Sequence, residues 1–215
     1  MRVCHLIGAG DFAGGQFCPE KGDFVIACDA GLRRLKEVGA APDLIVGDFD
    51  SYADELPAGV PVVRLACEKD DTDMEHAAAE GLARGYDAFL LHGALGGERF
   101  SHSFANLALC ASLADKGVAA AIAAPGAAMA VLGQGSYTLP PAAGYLSLFA
   151  YGEPCRLRAK GLKYPFDGVL APDMPLGVSN EMRGEGKIEV LSGKLLLVYE
   201  GGELSAGELL DAVKN

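Results

Sequence analysis

Residues 43–51 read DLIVGDFDS, and this is the most informative stretch of the chain. Its apolar run predicts a buried strand that stops at Gly47. Asp48 and Asp50 follow at once, and because residues i and i+2 of an extended chain point the same way, their carboxylates should converge. Two such like charges repel unless a cation or a proton lies between them. Since α/β folds bind ligands where strands end, the stretch indicates a divalent metal that handles phosphates.

Short apolar runs alternate with helical patterns on both sides of this stretch. Strands are predicted at residues 3–7, 24–28, 44–46, 61–65, 88–92 and 118–123, and helices at residues 32–38, 72–84 and 101–116. We expect Thr72 to cap the second helix and Gly85 to end it. Strands alternating with helices predict a doubly wound α/β domain with a mostly parallel sheet.

The pattern changes after Gly133, where helical periodicity disappears. Short β-like runs follow at residues 136–139, 145–150, 155–159, 187–191 and 195–199, and a short helix is predicted at 205–213. Ser192-Gly193 indicates a hairpin between the last two runs. We therefore predict an α/β domain over residues 1–133 and a smaller antiparallel β-sandwich over residues 134–215.

Composition excludes some classes of protein. The net charge of −11 and the pI near 4.8 argue against a nucleic-acid binder, which normally carries a basic stripe. An anionic nucleotide remains compatible, because a metal can mediate its contact. None of the six cysteines forms a Cys-x-x-Cys pair, so they are interpreted as reduced thiols. No signal peptide or membrane-spanning segment is recognised, and a cytoplasmic protein without membrane contact is expected.

Aspartates recur where the predicted strands end. They are Asp11, Asp29, Asp48, Asp50, Asp70, Asp71 and Asp73. The carboxyl ends of parallel strands meet at one edge of a sheet, so these side chains should gather in one crevice. Hard oxygen donors suit Mg²⁺, which takes one or two carboxylates together with substrate phosphates.

Four of these aspartates also have a purely structural interpretation. Asp29 is compatible with a helix cap, Asp48 and Asp50 with turn residues, and Asp71 with a first-turn acid that suits the helix dipole. The recurrence at successive strand ends is what favours a metal site over these separate explanations.

A second cluster occupies residues 93–106, GALGGERFSHSFAN, between a predicted strand and a predicted helix. Glycines at such a junction let backbone amides approach a phosphate, although many glycine-rich turns are only tight connections. Arg99 is suited to a bidentate phosphate contact. His102 and Asn106 share one helical face, and His102 is also compatible with a satisfied polar group.

Six motifs taken together resemble the thiamine pyrophosphokinase family. They are D-x-G at 29–31, PDLIVGDFDS at 42–51, K-D-x-T-D at 69–73, G-x-x-G-G-x-R-F-x-H-x-x-x-N at 93–106, GLKY at 161–164 and SNE at 179–181. The resemblance implies an ATP- and Mg²⁺-binding α/β domain and a thiamine-binding β-sandwich. It further implies a homodimer whose active sites lie at the subunit interface. The implied reaction transfers the pyrophosphoryl group of ATP to the thiamine hydroxyl and releases AMP.

The same resemblance implies roles for individual residues. Asp48, Asp50 and Asp73 would bind Mg²⁺, and Ser179 and Asn180 would hold thiamine. The ATP and phosphate site would comprise Asp29, Lys69, Asp70, Gly96, Gly97, Arg99 and Asn106. The catalytic residues would be Asp73, Arg99, Ser101 and His102.

The chain departs from the family pattern at Ser101, where most members carry Asp, and Glu98 reads as an insertion before Arg99. A serine can hydrogen-bond but cannot take the hydroxyl proton as a carboxylate can. Either Asp73 or Glu98 would then substitute, or the rate of the reaction would be lower. Two alternatives stay open: the same transfer to another hydroxymethyl heterocycle such as a pterin, and a non-catalytic thiamine- or nucleotide-binding protein.

Overall fold

The computed structural model describes residues 2–50, 55–68 and 70–214. It divides into two compact units, Met1–Leu109 (unit 1) and Cys110–Asn215 (unit 2), which are described separately. The domain boundary expected after residue 133 stays a prediction.

Unit 1 is built on a parallel five-stranded sheet. Its strands are β1 (Cys4–Ile7), β2 (Phe24–Cys28), β3 (Leu44–Gly47), β4 (Val62–Arg64) and β5 (Ala88–His92). They lie in the order β5-β1-β2-β3-β4. The strand order reverses between β1 and β5, and in open α/β sheets this switch point is where ligands bind.

Helices cover both faces of this sheet. They are α1 (Gly31–Glu37), α2 (Asp73–Ala83) and α3 (Ser101–Asp115), the last ending in unit 2. Ile7 and Ile45 pack with Leu32 of α1 on one face. On the other face, Cys28 contacts Met74 of α2. Because alternate strand residues point to opposite faces, this arrangement confirms the predicted doubly wound α/β class.

The predicted start of α2 is confirmed in detail. The Thr72 hydroxyl accepts a hydrogen bond from the Glu75 amide at 3.2 Å, and the Glu75 carboxylate accepts one from the Thr72 amide at 2.8 Å. This reciprocal capping box satisfies two backbone donors that have no partner inside the helix. It sets the position of Asp73, the first residue of the helix.

Unit 2 contains two antiparallel sheets and a short helix. Its elements are β6 (Ala119–Ala124), β7 (Ala127–Leu132), β8 (Gly135–Leu139), β9 (Tyr145–Ala150), β10 (Cys155–Leu162), β11 (Phe166–Leu170), β12 (Gly177–Asn180), β13 (Met182–Ser192), β14 (Leu195–Glu200) and α4 (Ala206–Val213). A four-stranded sheet has the order β11-β10-β13-β8, and the other strands pair in the order β12-β9-β14-β7-β6. The predicted antiparallel β-rich unit is confirmed.

The predicted hairpin at Ser192-Gly193 is wrong. β13 pairs with β10 and β8, whereas β14 pairs with β7 and β9. The turn therefore carries the chain from one sheet to the other. A turn signal reports a chain reversal and contains no information on which strand becomes the partner.

Three strands were not predicted: β7, β11 and β12. In β7 the Ala-rich sequence has a weak strand propensity, and its pairing with β6 and β14 stabilises it as a strand.

In the described part of the chain, no helix is both long and apolar enough to span a membrane. All six cysteines are free thiols, as predicted.

Candidate active site

The loops that follow β1 and β5 are joined by backbone hydrogen bonds at the switch point. Gly8 donates to the His92 carbonyl at 2.8 Å, and Gly10 donates to the Gly93 carbonyl at 2.8 Å. A Cβ atom at Gly8 would lie 2.5 Å from the Gly93 carbonyl oxygen, so a side chain there would force the loops apart. The glycines thus allow two neighbouring loops to form one floor.

A cavity of about 260 Å³ opens above this floor, within unit 1. Ten candidate site residues from the sequence line it: Asp29, Asp48, Asp50, Asp73, Gly96, Gly97, Glu98, Arg99, His102 and Asn106. They come from four separate segments of the chain, and the parallel sheet brings these segments to one edge, as expected.

The aspartates that line the cavity interact electrostatically. Burial raises the pKa of Asp29, and the negative charges of Asp73, Asp48 and Asp50 raise it further. The Asp29 Oδ1 atom is buried and has no hydrogen-bond partner. A buried carboxylate oxygen that lacks a partner is costly, and a bound cation would relieve that cost.

A strained turn presents the pair Asp48 and Asp50. Phe49 between them has a φ of +62°, which an L-residue seldom adopts. The guanidinium carbon of Arg64 lies 5.0 Å from the centre of the Phe49 ring, and the Asp50 amide donates to Asp48 Oδ1 at 3.1 Å. Such strain concentrates at functional sites, where the surrounding contacts hold it in place.

The donor set fits Mg²⁺ that is bound together with a substrate. Among the described residues, no group of three or more His, Cys, Asp or Glu side chains is arranged so that it could hold a metal ion by itself. Mg²⁺ does not need one, because it usually retains waters and uses one or two carboxylates plus phosphate oxygens. The partnerless Asp29 oxygen and the facing aspartates are donors of the required type.

The opposite wall is a glycine-rich loop clamped to α3. Asn106 Nδ2 donates to the Ala94 carbonyl at 2.6 Å, and the Gly96 amide donates to Ser103 Oγ at 2.9 Å. Gly96 and Gly97 have φ values of +69° and +73°, which favour glycine. The loop is therefore held in a conformation that exposes backbone next to the cavity.

His102 and Arg99 stand beside this loop. Burial and the positive charge of Arg99 lower the pKa of His102, while the Asp73 carboxylate opposes that shift. A lowered pKa keeps the imidazole neutral near pH 7. One ring nitrogen then carries an N–H that it can donate, and the other can accept a proton. The site thus combines carboxylates, a guanidinium and a neutral imidazole around one cavity.

Two family models match this chain along its length. The catalytic domain of thiamin pyrophosphokinase matches residues 18–122, and the vitamin B1 binding domain of thiamin pyrophosphokinase matches residues 136–197. The chain belongs to the thiamin pyrophosphokinase family. The family resemblance seen in the sequence motifs is therefore confirmed.

Solved structures of thiamin pyrophosphokinases share the fold. The thiamine pyrophosphokinase from Bacillus subtilis has a TM-score of 0.84 at 22% identity, over 93% of this chain and 99% of that one. The enzyme from Geobacillus thermodenitrificans has a TM-score of 0.80 at 27% identity, over 93% and 97%. A family protein from Enterococcus faecalis has 0.76 at 25% identity, over 94% and 100%. No curated protein matched this chain.

Some residues expected from the thiamin pyrophosphokinase resemblance lie outside the cavity. Ser101 is the first residue of α3 and is exposed, and Asp70 is exposed as well; neither lines the cavity. Lys69 lies outside the described residues. The sequence-based roles of these three residues stay predictions.

The two residues predicted to hold thiamine lie in β12 of unit 2. Ser179 has a φ of +55°, and its amide donates to Ser147 Oγ at 3.0 Å. Asn180 is buried, and its side chain donates to the Tyr164 carbonyl at 2.7 Å and accepts from the Tyr164 amide at 3.0 Å. Asn180 thus connects the predicted motifs at 161–164 and 179–181, while its role toward thiamine stays a prediction.

Several cavity residues escaped the sequence analysis. Cys28 and Met74 form an apolar part of the lining, with their sulfur atoms 3.6 Å apart, and burial raises the pKa of Cys28 well above its usual range. Arg33 also lines the cavity. Its only sequence signal is its position in the first turn of α1, four residues after the strand-end acid Asp29.

Proposed function

We propose that this protein transfers the pyrophosphoryl group of ATP to the hydroxyl of thiamine, giving thiamine diphosphate and AMP. The observation that carries the proposal is the acidic cavity at the switch point of unit 1. It unites four aspartates, Arg99 and a glycine-rich loop in a chain with both domains of the family. Phosphoryl-type transfer depends on positioning and charge neutralisation more than on covalent chemistry, and these side chains suit that task.

Asp48, Asp50 and Asp73 would hold Mg²⁺ in this proposal. When bound, the metal neutralises phosphate charge and aligns the phosphate oxygens. Asp29 would complete the acidic wall through its partnerless Oδ1 atom. An acidic protein would thus accept an acidic nucleotide through the metal.

The glycine-rich wall would bind the phosphates. Gly96 and Gly97 expose backbone beside the cavity, Arg99 offers a guanidinium, and Asn106 holds the loop in place. Lys69 and Asp70 would extend this site. A neutral His102 would move a proton near the reacting hydroxyl, with Ser101 beside it as a hydrogen-bonding group.

Thiamine would be held by Ser179 and Asn180 of one subunit, opposite the nucleotide site of the other subunit in a homodimer. Exposed apolar side chains support such a dimer, because burying them against a second copy removes apolar surface from water, which is favourable. In unit 1 they include Phe100 at 64% exposure, and in unit 2 they include Tyr164 at 61% and Leu176 at 63%.

Incubation of the purified protein with ATP, Mg²⁺ and thiamine tests the activity. We expect thiamine diphosphate and AMP in equal amounts, resolved by ion-exchange chromatography. ADP as the sole nucleotide product contradicts the proposal, because it reports transfer of a single phosphoryl group.

A second candidate arises from Ser101, which stands where most family members carry Asp and is exposed outside the cavity. The same transfer to another hydroxymethyl heterocycle, such as a pterin, is the alternative acceptor. A panel of hydroxymethyl heterocycles separates the two substrates by relative kcat/KM. Tight thiamine binding by calorimetry with no product over hours would instead identify a binding protein.

A further inference from the structure

Helix α1 begins in direct contact with the end of β1. A Cβ atom at Gly31 would overlap the Ile7 carbonyl oxygen, so only glycine permits this approach. Leu32 and Leu35 anchor the helix, since both are buried in the core against Ile7. The first turn of α1 is consequently fixed at the edge of the sheet where the cavity opens.

Two consecutive arginines of this helix have different surroundings. Arg33 lines the cavity. Arg34 instead donates from Nη2 to the Ala9 carbonyl at 3.1 Å and from Nη1 to Glu37 Oε1 at 3.0 Å. Arg34 thus holds the loop after β1, and Arg33 lies in the lining, where a ligand in the cavity can contact it.

The charges of the cavity lining are unequal. Five acidic residues line it: Asp29, Asp48, Asp50, Asp73 and Glu98. Among the described residues, Arg33 and Arg99 are the basic side chains of the lining, apart from the imidazole of His102. A nucleotide polyphosphate entering this acidic site needs cationic contacts beyond the metal.

The two arginines follow strands that lie on either side of β1. Arg99 follows β5, Arg33 follows β2, and β1 lies between these strands. Adjacent strands are about 4.8 Å apart, so the ends of β5 and β2 are separated by roughly 10 Å across the sheet. Such a separation suits an extended polyphosphate with one arginine toward each end.

We propose that Arg33 is a nucleotide-binding residue that contacts a different phosphate group of ATP from the one that Arg99 contacts. This inference rests on the proposed function, since it requires ATP to occupy the cavity. The planar guanidinium presents paired N–H donors that match two phosphate oxygens, which the ammonium of lysine does not. Arg33 thereby determines affinity for the nucleotide and has no part in binding thiamine.

Calorimetric titration with MgATP in the absence of thiamine tests the role of Arg33 without turnover. We expect R33Q to weaken MgATP binding by about tenfold or more, because a charge-assisted phosphate contact is lost. R33K should weaken it by about threefold, since the charge remains and the paired donors are lost. Titration with thiamine should give the wild-type affinity in both variants.

Lys36→Gln is the matched control. Lys36 lies on the same helix, carries the same charge and is exposed outside the cavity lining. We expect K36Q to bind MgATP within about twofold of the wild type, because a distant surface charge is screened by salt. Thermal midpoints of all variants identify any that fold poorly, and R33K keeps the test valid if R33Q does not fold.

The outcomes separate this inference from the proposed function. A wild type that binds MgATP, with R33Q and R33K binding within twofold of it, contradicts the role of Arg33 alone. A wild type that binds no MgATP contradicts the proposed function. Weaker MgATP binding by R33Q, in a protein that makes no thiamine diphosphate, supports Arg33 and contradicts the transfer reaction.

The two arginines are distinguished by a double variant. If Arg33 and Arg99 contact different phosphates, the losses of binding free energy in R33Q and R99Q should add in R33Q/R99Q, because separate contacts are independent. If R33Q/R99Q binds MgATP as tightly as the single variant with the lower affinity, both arginines contact the same phosphate. That result overturns the proposal that they contact different phosphates.

Discussion

The side chain of Asn106 in α3 donates a hydrogen bond to the backbone carbonyl of Ala94 at 2.6 Å. Both residues are buried, and both line the cavity. This bond ties the start of the glycine-rich loop to a rigid helix. The bond thus holds the loop in place before a ligand binds, which reduces the ordering entropy that binding must offset.

Asn106→Ala should destabilise the protein and weaken its activity. The variant leaves the buried Ala94 carbonyl without its partner, which costs about 1–3 kcal/mol of unfolding free energy in urea titrations. We expect kcat/KM for ATP to fall by about tenfold, because the loop loses its preorganised position. Ser112→Ala, at an exposed position of the same helix, is the control and should change neither quantity. Unchanged activity in N106A would show that the loop holds its shape without this bond.

Asp48→Asn and Asp50→Asn should each lower the Mg²⁺-dependent activity by about a hundredfold, because an amide is a much poorer Mg²⁺ ligand than a carboxylate. Without metal, neither variant should have a lower thermal midpoint than the wild type, since each removes a negative charge that raises the pKa of Asp29. Steady-state rates across a Mg²⁺ titration and metal-free thermal melts provide the two measurements. Glu55→Gln, an exposed acid outside the cavity, is the control. Full activity in D48N or D50N would remove that aspartate from the metal site.

A buried histidine pair lies beneath the switch point. His5 Nδ1 lies 3.1 Å from His92 Nε2, and His5 Nε2 lies 3.3 Å from Asp23 Oδ2. The ring of Phe17 packs edge-on against both imidazoles. Burial lowers the pKa of His92 to about 3, and burial also lowers the pKa of His5 against the opposing effect of Asp23.

Stability should therefore fall as the pH drops below about 6.5, the usual pKa of an unfolded histidine. Below that pH the unfolded chain binds protons that the folded pair resists, so the stabilisation present at pH 7 is lost progressively toward pH 3. Burial would raise the pKa of Asp23, but hydrogen bonds from backbone amides outweigh burial and lower it. The stability that the ionised Asp23 gives to the protein is therefore lost only below about pH 4.

His92→Leu isolates this effect. The stability difference between wild type and H92L, from urea titrations, should shrink by about 2 kcal/mol between pH 7 and pH 5, since the leucine cannot bind a proton. Leu113→Ala, a buried substitution without a titrating group, should show a pH-independent difference from the wild type. A constant difference for H92L would mean that His92 does not resist protonation in the fold.

His102 and Ser101 are adjacent in sequence and differ in their relation to the cavity. His102→Ala should lower kcat by at least about tenfold, because a neutral imidazole beside the reacting groups is lost. Ser101→Ala should stay within about threefold, since an exposed hydroxyl outside the lining contributes at most a weak hydrogen bond. Rates at saturating ATP and thiamine measure both. A large loss in S101A would assign to Ser101 the catalytic part expected from its motif.

Local sequence signals predicted the elements of unit 1 closely. The predicted strands at residues 24–28 and 88–92 match β2 and β5, and Thr72 caps α2 as expected. These features depend on neighbours within four residues, namely apolar periodicity and capping, which a single sequence displays. The convergence of Asp29, Asp48, Asp50 and Asp73 was predictable too, because parallel strands must end at one edge.

Only the tertiary structure decided which distant segments meet. Nothing local distinguishes Arg33, which lines the cavity, from Arg34, which bonds to the loop after β1. Likewise the turn after β13 reads as a hairpin, yet its two strands join different sheets. Pairing partners and cavity linings result from burial among residues far apart in the chain, and that competition is settled only when the whole core packs. Local sequence signals are thus sufficient for most elements of unit 1 and for the chemistry at their ends, while packing of the whole core establishes which distant residues each side chain contacts.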